Sequence, residues 1–242
     1  MSSPDALDRV RVVLCQTSHP GNIGAAARAM KTMGLSRLIL VRPRTFPHTD
    51  ANAFAAGALD VLRNAVTCDN LDRALEGTVL AVAATSRERD LAHQTVDCRE
   101  ACRRLALESR TADVALVFGP ERTGLTSREV SKCNLTAAIP ANPAYVSLNI
   151  AQAVQVFAYE LRMASMVAAK PPRLQSDAAT HEDVEHFHRQ LEQTLYEIGF
   201  LDPDQPRKMM QRLRRLFARA RLEKEEVNIL LGLLKAIRPK VE

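Results

Sequence analysis

Short β-branched apolar runs alternate with apolar residues at helical spacing through the first two-thirds of the chain. Such alternation predicts parallel strands joined by crossover helices. The runs place strands at 10–15, 37–41, 65–68, 78–84, 114–118 and 136–139. Helical spacing falls at 22–33, 51–63, 71–75, 99–109 and 127–132, and a longer helix over 148–168 closes the unit. Gly34 and Gly77 stand where two of these helices should stop, because glycine takes the left-handed conformation that ends a helix. The expected architecture is an open α/β sheet, in which ligands gather at the carboxyl ends of the strands.

The segment KPPRLQSDAA carries two prolines and small polar residues with no periodicity, so it reads as a linker. The chain therefore divides into a first domain at 1–168, a linker at 169–180 and a helical extension at 181–242. Thr180 and Asp183 have the spacing of a capping box and open a helix running to about Ile198, which Gly199 ends. Two further helices follow at 207–221 and 223–237. Three helices in about 60 residues bury little core, so the bundle is expected to lean on the first domain or on a second chain.

Composition narrows the class. With 242 residues, 46% hydrophobic and 25% charged, the chain is neither disordered nor fibrous. No apolar run reaches membrane-spanning length and the N-terminal residues lack the features of a signal peptide, so a cytoplasmic protein without membrane attachment is expected. The five cysteines form no CxxC pair and read as free, packed thiols. His181, His186 and His188 lack the i,i+4 spacing of a helical ligand pair and read as surface histidines, so no metal is expected. The net charge of +5 permits an acidic partner such as nucleic acid, while aromatics at 4% and no Trp argue against a single-strand binder built on stacking.

Three loops, each following a strand, combine glycine or proline with polar groups that packing does not require. In TSHPGNIGAAARAMKTMG (17–34), Gly21 and Gly24 allow close backbone approach, and the helix N-terminus suits a phosphate or carboxylate. His19 in this turn either supports the local backbone or transfers a proton. Arg28 interrupts a run of alanines, either reaching to solvent or serving a site. FGPERTGLT (118–126) turns on Gly119 and Gly124 and projects Glu121 and Arg122 from the sheet rim. In IPANPAYVSLNIAQAV (139–154), Pro140 and Pro143 extend the loop and Ser147 can cap the long helix. That would leave the N–H groups of Val146, Ser147 and Leu148 along an open edge suited to a purine and its sugar. Asn149 is a poor helix former at a costly position, which points to a side-chain task.

Together the loops resemble the signature motifs of the SPOUT class of RNA methyltransferases, most closely the TrmJ-like tRNA 2′-O-methyltransferases. The resemblance runs through HPGNIGAAARAMKTMGL, AAGALDVL, LVFGPERTGLT and YVSLNIAQAVQVFAYELRMA, and on into LEQTLYEIGFLDP and RLRRLFARARLEKEEVNIL. It implies a parallel sheet threaded into a C-terminal trefoil knot, a homodimer, and S-adenosyl-L-methionine held by Ala84, Thr85, Ser86, Gly119, Ile139, Val146, Ser147 and Leu148. It also implies Arg28 as the catalytic arginine, and tRNA as substrate at the cytidine or uridine of anticodon-loop position 32. Ala83-Ala84 and Pro120 stand where the family usually has Gly-Thr and Arg. These departures leave a second reading, a non-catalytic RNA-binding or assembly protein that keeps the knotted fold.

Charge patterning adds an RNA surface. In 207–221 seven of fifteen residues are basic and none is acidic. At about 100° per residue, Lys208, Arg212, Arg215 and Arg219 share one face and Met209, Leu213, Leu216 and Ala220 another. The cationic ridge is expected to contact tRNA phosphates, with Arg87 and Arg89 extending the track, and the apolar face is expected to dock.

Overall fold

The computed structural model describes residues 6–86, 95–166, 177–202 and 208–238. Seven strands form one sheet: β1 (Val10–Cys15), β2 (Arg37–Val41), β3 (Val66–Cys68), β4 (Thr78–Ala84), β5 (Thr95–Asp97), β6 (Asp113–Phe118) and β7 (Leu135–Ala138). Their order is β3-β2-β1-β6-β4-β7-β5, and every pair is parallel. Six of these strands lie where the apolar runs place them. The seventh, β5, is a three-residue edge strand, TVD, too short and polar to give a sequence signal. Its Thr95 hydroxyl meets that of Thr136 on β7 at 2.7 Å.

Alternate residues of each strand serve opposite faces, as the pleat requires. On one face Val12, Leu14, Leu38, Leu40, Val82 and Leu116 meet α1 (Pro20–Thr32), α2 (Thr49–Ala55), α3 (Leu59–Arg63), α5 (Cys98–Glu108) and α7 (Ile150–Met166) in the main core. On the other, Val13, Cys15, Ile39, Ala83 and Val117 pack on α4 (Leu71–Leu75) and α6 (Ser127–Val130). The single helix expected over 51–63 is broken, because Ala56 takes φ +48° and a short 3-10 turn separates α2 from α3. Burial raises the thiols of Cys15, Cys102 and Cys133, the last to about 12, so these cysteines are inert packing groups.

The C-terminal helices α8 (His181–Glu197), α9 (Met209–Ala220) and α10 (Lys224–Ile237) share a small core of Phe187, Leu222, Val227 and Leu234. Thr180 and Asp183 form the expected capping box. The bundle docks beside the start of β4: Glu182 accepts the Gly77 N–H at 2.6 Å, and a His181 ring nitrogen lies 3.3 Å from Asp72. Hydrogen bonding from His181, joined by the Lys132 ammonium, holds the Asp72 carboxyl at about 2. On α5, Glu108 pairs with Arg221 at 2.6 Å.

Two expectations about this region fail. His181 and His188 are not surface histidines. Docking buries His181 against Asp72, and His188 lies in the bundle core beside Phe187 and Phe217, where burial depresses its pKa. Only His186 of the three is exposed. The apolar face expected to dock α9 is not the buried one either. Leu216 is 49% exposed, and α9 turns Arg214 and Phe217 inward, where Arg214 forms a two-pronged pair with Glu185. The stacking of Phe217 edge-on against Phe187 at 4.8 Å decides that rotation.

Candidate active site

The loops after β1, β6, β4 and β7 emerge side by side, because these strands are neighbours in the middle of the sheet. The loops after β6, β4 and β7 enclose a cavity of about 270 Å³ at the carboxyl ends of the strands, and the loop after β1 meets them through Glu121. Ala84, Thr85, Ser86, Gly119, Ile139, Val146, Ser147 and Leu148 all line it, so the structure brings together every residue that the family resemblance implies for the cofactor. Phe118 and Phe157, packed edge-to-face at 5.6 Å, close its inner end. Gly119 is required where it stands: a Cβ there would lie 2.2 Å from the Leu125 peptide nitrogen.

Glu121 ties the first two loops together. Its carboxylate accepts from the Ser18 N–H at 3.0 Å, the Ser18 hydroxyl at 2.8 Å, the His19 N–H at 3.3 Å and the Asn22 amide at 2.8 Å. Partial burial pushes this carboxyl up, but Asn22 and Ser18 outweigh it and hold the group at about 2. The anion expected at the mouth of α1 is thus supplied by the chain itself. Gly21 and Gly24 also serve packing rather than a phosphate: a Cβ on Gly24 would lie 2.0 Å from the Ala51 carbonyl, so α1 and α2 are in backbone contact. His19 takes the first of its two expected roles, capping α1 as its Nδ1 accepts the Gly21 N–H at 3.1 Å.

The third loop joins through Asn149, whose side-chain amide donates to the Asn22 carbonyl oxygen at 3.0 Å. Asn149, not Ser147, caps the long helix: its Oδ1 accepts the Ala151 N–H at 2.8 Å, and Gln152 reaches back to the Asn149 N–H at 3.1 Å. The helix consequently starts at Ile150, two residues later than the periodicity suggests. With Ser147 freed from capping, the N–H groups of Val146, Ser147 and Leu148 have no partner among the described residues and stand along the cavity wall. Unpaired donors beside a partly apolar cavity suit a ligand with a purine ring and polar sugar edges, so the residues present fit S-adenosyl-L-methionine.

Arg28 lies exposed on the face of α1 that also carries Gly21 and Ala25, and its guanidinium has no partner among the described residues. It is free to act on something outside the chain. Arg87 and Arg89 fall outside the described residues. Lys208, Arg212 and Arg219 are exposed and Arg215 half-buried, with no side-chain ion pair among the described residues. Glu121 and Asn22, central to the network, were legible only as polar residues without a packing reason; a lone carboxylate after a strand gives no spacing signal. Among the described residues no cluster of His, Cys, Asp or Glu could hold a metal, and no helix is long and apolar enough to cross a membrane.

A parallel sheet with a ligand cavity at its central strand ends, lined by the loops after β4, β6 and β7, defines a methylase of the SpoU type: the SpoU rRNA Methylase family matches residues 9–159. The C-terminal domain of tRNA methyltransferase TrmJ matches residues 182–242. The chain belongs to the SpoU methylase family, in its TrmJ branch. A tRNA (cytidine/uridine-2′-O-)-methyltransferase TrmJ of Pectobacterium atrosepticum is 50% identical, covering 96% of this chain and 97% of that one. A tRNA (cytidine/uridine/adenosine-2′-O-)-methyltransferase TrmJ of Pseudomonas aeruginosa is 48% identical, covering 94% and 93%. Among solved structures, TrmJ from Z. mobilis ZM4 matches with a TM-score of 0.82 at 29% identity, over 94% of this chain and 98% of that one.

Proposed function

We propose that the protein is an S-adenosyl-L-methionine-dependent tRNA 2′-O-methyltransferase acting on cytidine or uridine, at position 32 of the anticodon loop. The observation that carries this reading is the hydrogen-bonded junction of Glu121, Asn22 and Asn149, which ties the loop after β1 to two loops that line one cavity with free peptide donors. When bound, S-adenosyl-L-methionine supplies an electrophilic methyl group. Ala84, Thr85, Ser86, Gly119 and Ile139 would flank it, and the N–H groups of Val146, Ser147 and Leu148 would donate to it.

A ribose 2′-hydroxyl is a poor nucleophile at neutral pH, so it must shed its proton as its oxygen takes the methyl group. A guanidinium is already protonated and has no acceptor site for that proton, which leaves to solvent water. Arg28 instead stabilises the developing alkoxide or clamps the neighbouring phosphate. The Glu121 network sets the start of α1, and so the helix that presents Arg28.

We read 1–168 as the methyltransferase domain, 169–180 as a linker and 181–242 as a tRNA-binding and dimer-supporting extension. Lys208, Arg212, Arg215 and Arg219 form the phosphate-contact ridge, extended by Arg87 and Arg89. The trefoil knot follows from the same reading, and the placement of β7 between β4 and β5, both earlier in sequence, supports it. Exposed Tyr159, Met163 and Met166, spaced along one side of α7, support a homodimer. We read the protein as cytoplasmic, in keeping with a tRNA substrate. No observation favours the non-catalytic reading, because Arg28 is present and unengaged.

The test is incubation with labelled S-adenosyl-L-methionine and total tRNA, followed by nucleoside analysis and mapping of the modified position. Expected are 2′-O-methylated cytidine and uridine at position 32. Label at another position moves the target, and no label in tRNA overturns the reading.

A further inference from the structure

On the outer side of the Glu121 network lies a second, open groove of about 680 Å³, distinct from the cofactor cavity but sharing Glu121 as a wall. Its floor is Gly21 and Ala25 of α1, its polar side is Asn22 and Asn149, and its far side is the ring of Phe54 on α2. Phe54 is 55% exposed and belongs to neither core of the first domain. An exposed phenylalanine alone means little. This one is held in place, because the residues flanking its turn, Ala51 and Ala55, are fully buried and Ala51 packs on the bare backbone of Gly24. The ring is close enough to Gly21 that a Cβ there would sit 3.1 Å from its Cδ2 and 2.9 Å from the His19 ring. The chain thus presents an exposed aromatic surface at the mouth of the site, and glycine at position 21 lets the Phe54 and His19 rings close against α1.

We propose that Phe54 is the stacking platform for the base of the target nucleotide, a positioning residue that holds the nucleoside over the groove while its ribose reaches the cavity. The inference rests on the methyltransferase reading above. A nucleotide whose ribose reaches the cavity across the Glu121 wall has its base on the outer side, where Phe54 is the one large apolar surface lining the groove. Stacking uses the π-face that every base has, so the ring orients the nucleoside without choosing between pyrimidines.

The experiment compares the full-length protein with Phe54→Ala, Phe54→Leu and Phe54→Trp. Readouts are steady-state methylation of tRNA transcripts, calorimetry with S-adenosyl-L-methionine, sedimentation, and fluorescence of a tRNA carrying 2-aminopurine at the target position. Loss of base stacking lowers kcat/KM by between about fivefold and a hundredfold in the Ala and Leu variants, equally for cytidine and uridine targets. Phe54→Trp restores it, cofactor affinity is unchanged, and the 2-aminopurine quench seen with the parent chain disappears in the Ala variant. Wild-type turnover by Phe54→Leu, or an undiminished quench in Phe54→Ala, overturns the platform. Dissociation of a dimer by Phe54→Ala with an intact quench also overturns it, and assigns the groove to a second copy of the chain. If the parent chain quenches the probe but methylates no tRNA, stacking stands and the methyltransferase reading falls.

Discussion

The Asn149 amide donates to Asn22 at 3.0 Å across 127 positions of sequence, while the Asn22 amide donates to Glu121 at 2.8 Å. Each asparagine is therefore fixed in orientation by a partner of defined polarity. One side-chain chain of donors and acceptors sets the relative position of three loops.

Replacing Asn22 by Asp inverts that polarity at one point. The new carboxylate would face the Glu121 carboxylate across 2.8 Å, where the amide now donates. Asn22→Asp is expected to be worse than Asn22→Ala in both stability and kcat/KM, because the alanine variant leaves an unfilled acceptor on Glu121 and an unpaired donor on Asn149 but no like-charge contact. Urea denaturation and initial rates on both variants decide it; equal losses would mean the charge at Glu121 is unimportant.

Glu121 predicts a pH dependence with a definite sign. Its folded carboxyl sits at about 2, below the ordinary 4.5, so its contribution is complete above about pH 4.5 and lost as pH falls toward 2. Glu121→Gln should remove this part of the acid-unfolding profile and flatten stability between those limits. Thermal melts of both proteins from pH 6 to 2.5 read the difference.

Arg28 separates catalysis from folding. With no partner among the described residues, its removal should change stability by no more than about 0.5 kcal/mol. Arg28→Ala is expected to abolish most turnover with saturating tRNA while calorimetric cofactor binding persists. Unchanged turnover would remove Arg28 from the reaction.

On α9 the structure splits the cations into two kinds. Neutralising Lys208, Arg212 and Arg215 together should weaken tRNA binding and reduce the salt slope by about 0.9 for each phosphate that is no longer neutralised. Arg214→Ala should instead destabilise the C-terminal bundle, because it strands buried Glu185. Filter binding across a salt series and far-UV melts distinguish the two outcomes.

Gly119→Ala tests the cavity wall. The added methyl would lie 2.2 Å from a peptide nitrogen, not from a flexible side chain, so the loop after β6 must move. Cofactor affinity should fall at least tenfold, with a stability loss of about 1–3 kcal/mol typical of overpacking. Calorimetry on the folded variant reads the first directly.

Much of this was legible from the chain. β1, β2 and β4 fall on the residues their apolar runs mark, because strands buried on both faces carry an uninterrupted signal. The eight cavity residues are reached through the family resemblance, five of them in the loops after β6 and β7 and three carried over by position at the end of β4. What stayed hidden depends on pairings distant in sequence. The capping role moved from Ser147 to Asn149 because Gln152 answers Asn149 and not Ser147. The burial of His188 and the inward turn of Arg214 come from one helix meeting another, and the helix's own periodicity does not report it.

The docking of the C-terminal bundle at the start of β4 has a consequence for substrate size. Arg214 and Phe217 of α9 share a gap with Thr78 and Val79, while the cofactor cavity begins at Ala84. At about 3.3 Å per residue, the strand holds these two places roughly 20 Å apart. The rigid sheet acts as a ruler: on the proposed function, a free nucleoside would reach one end only, whereas a folded RNA would span from the cavity to the bundle.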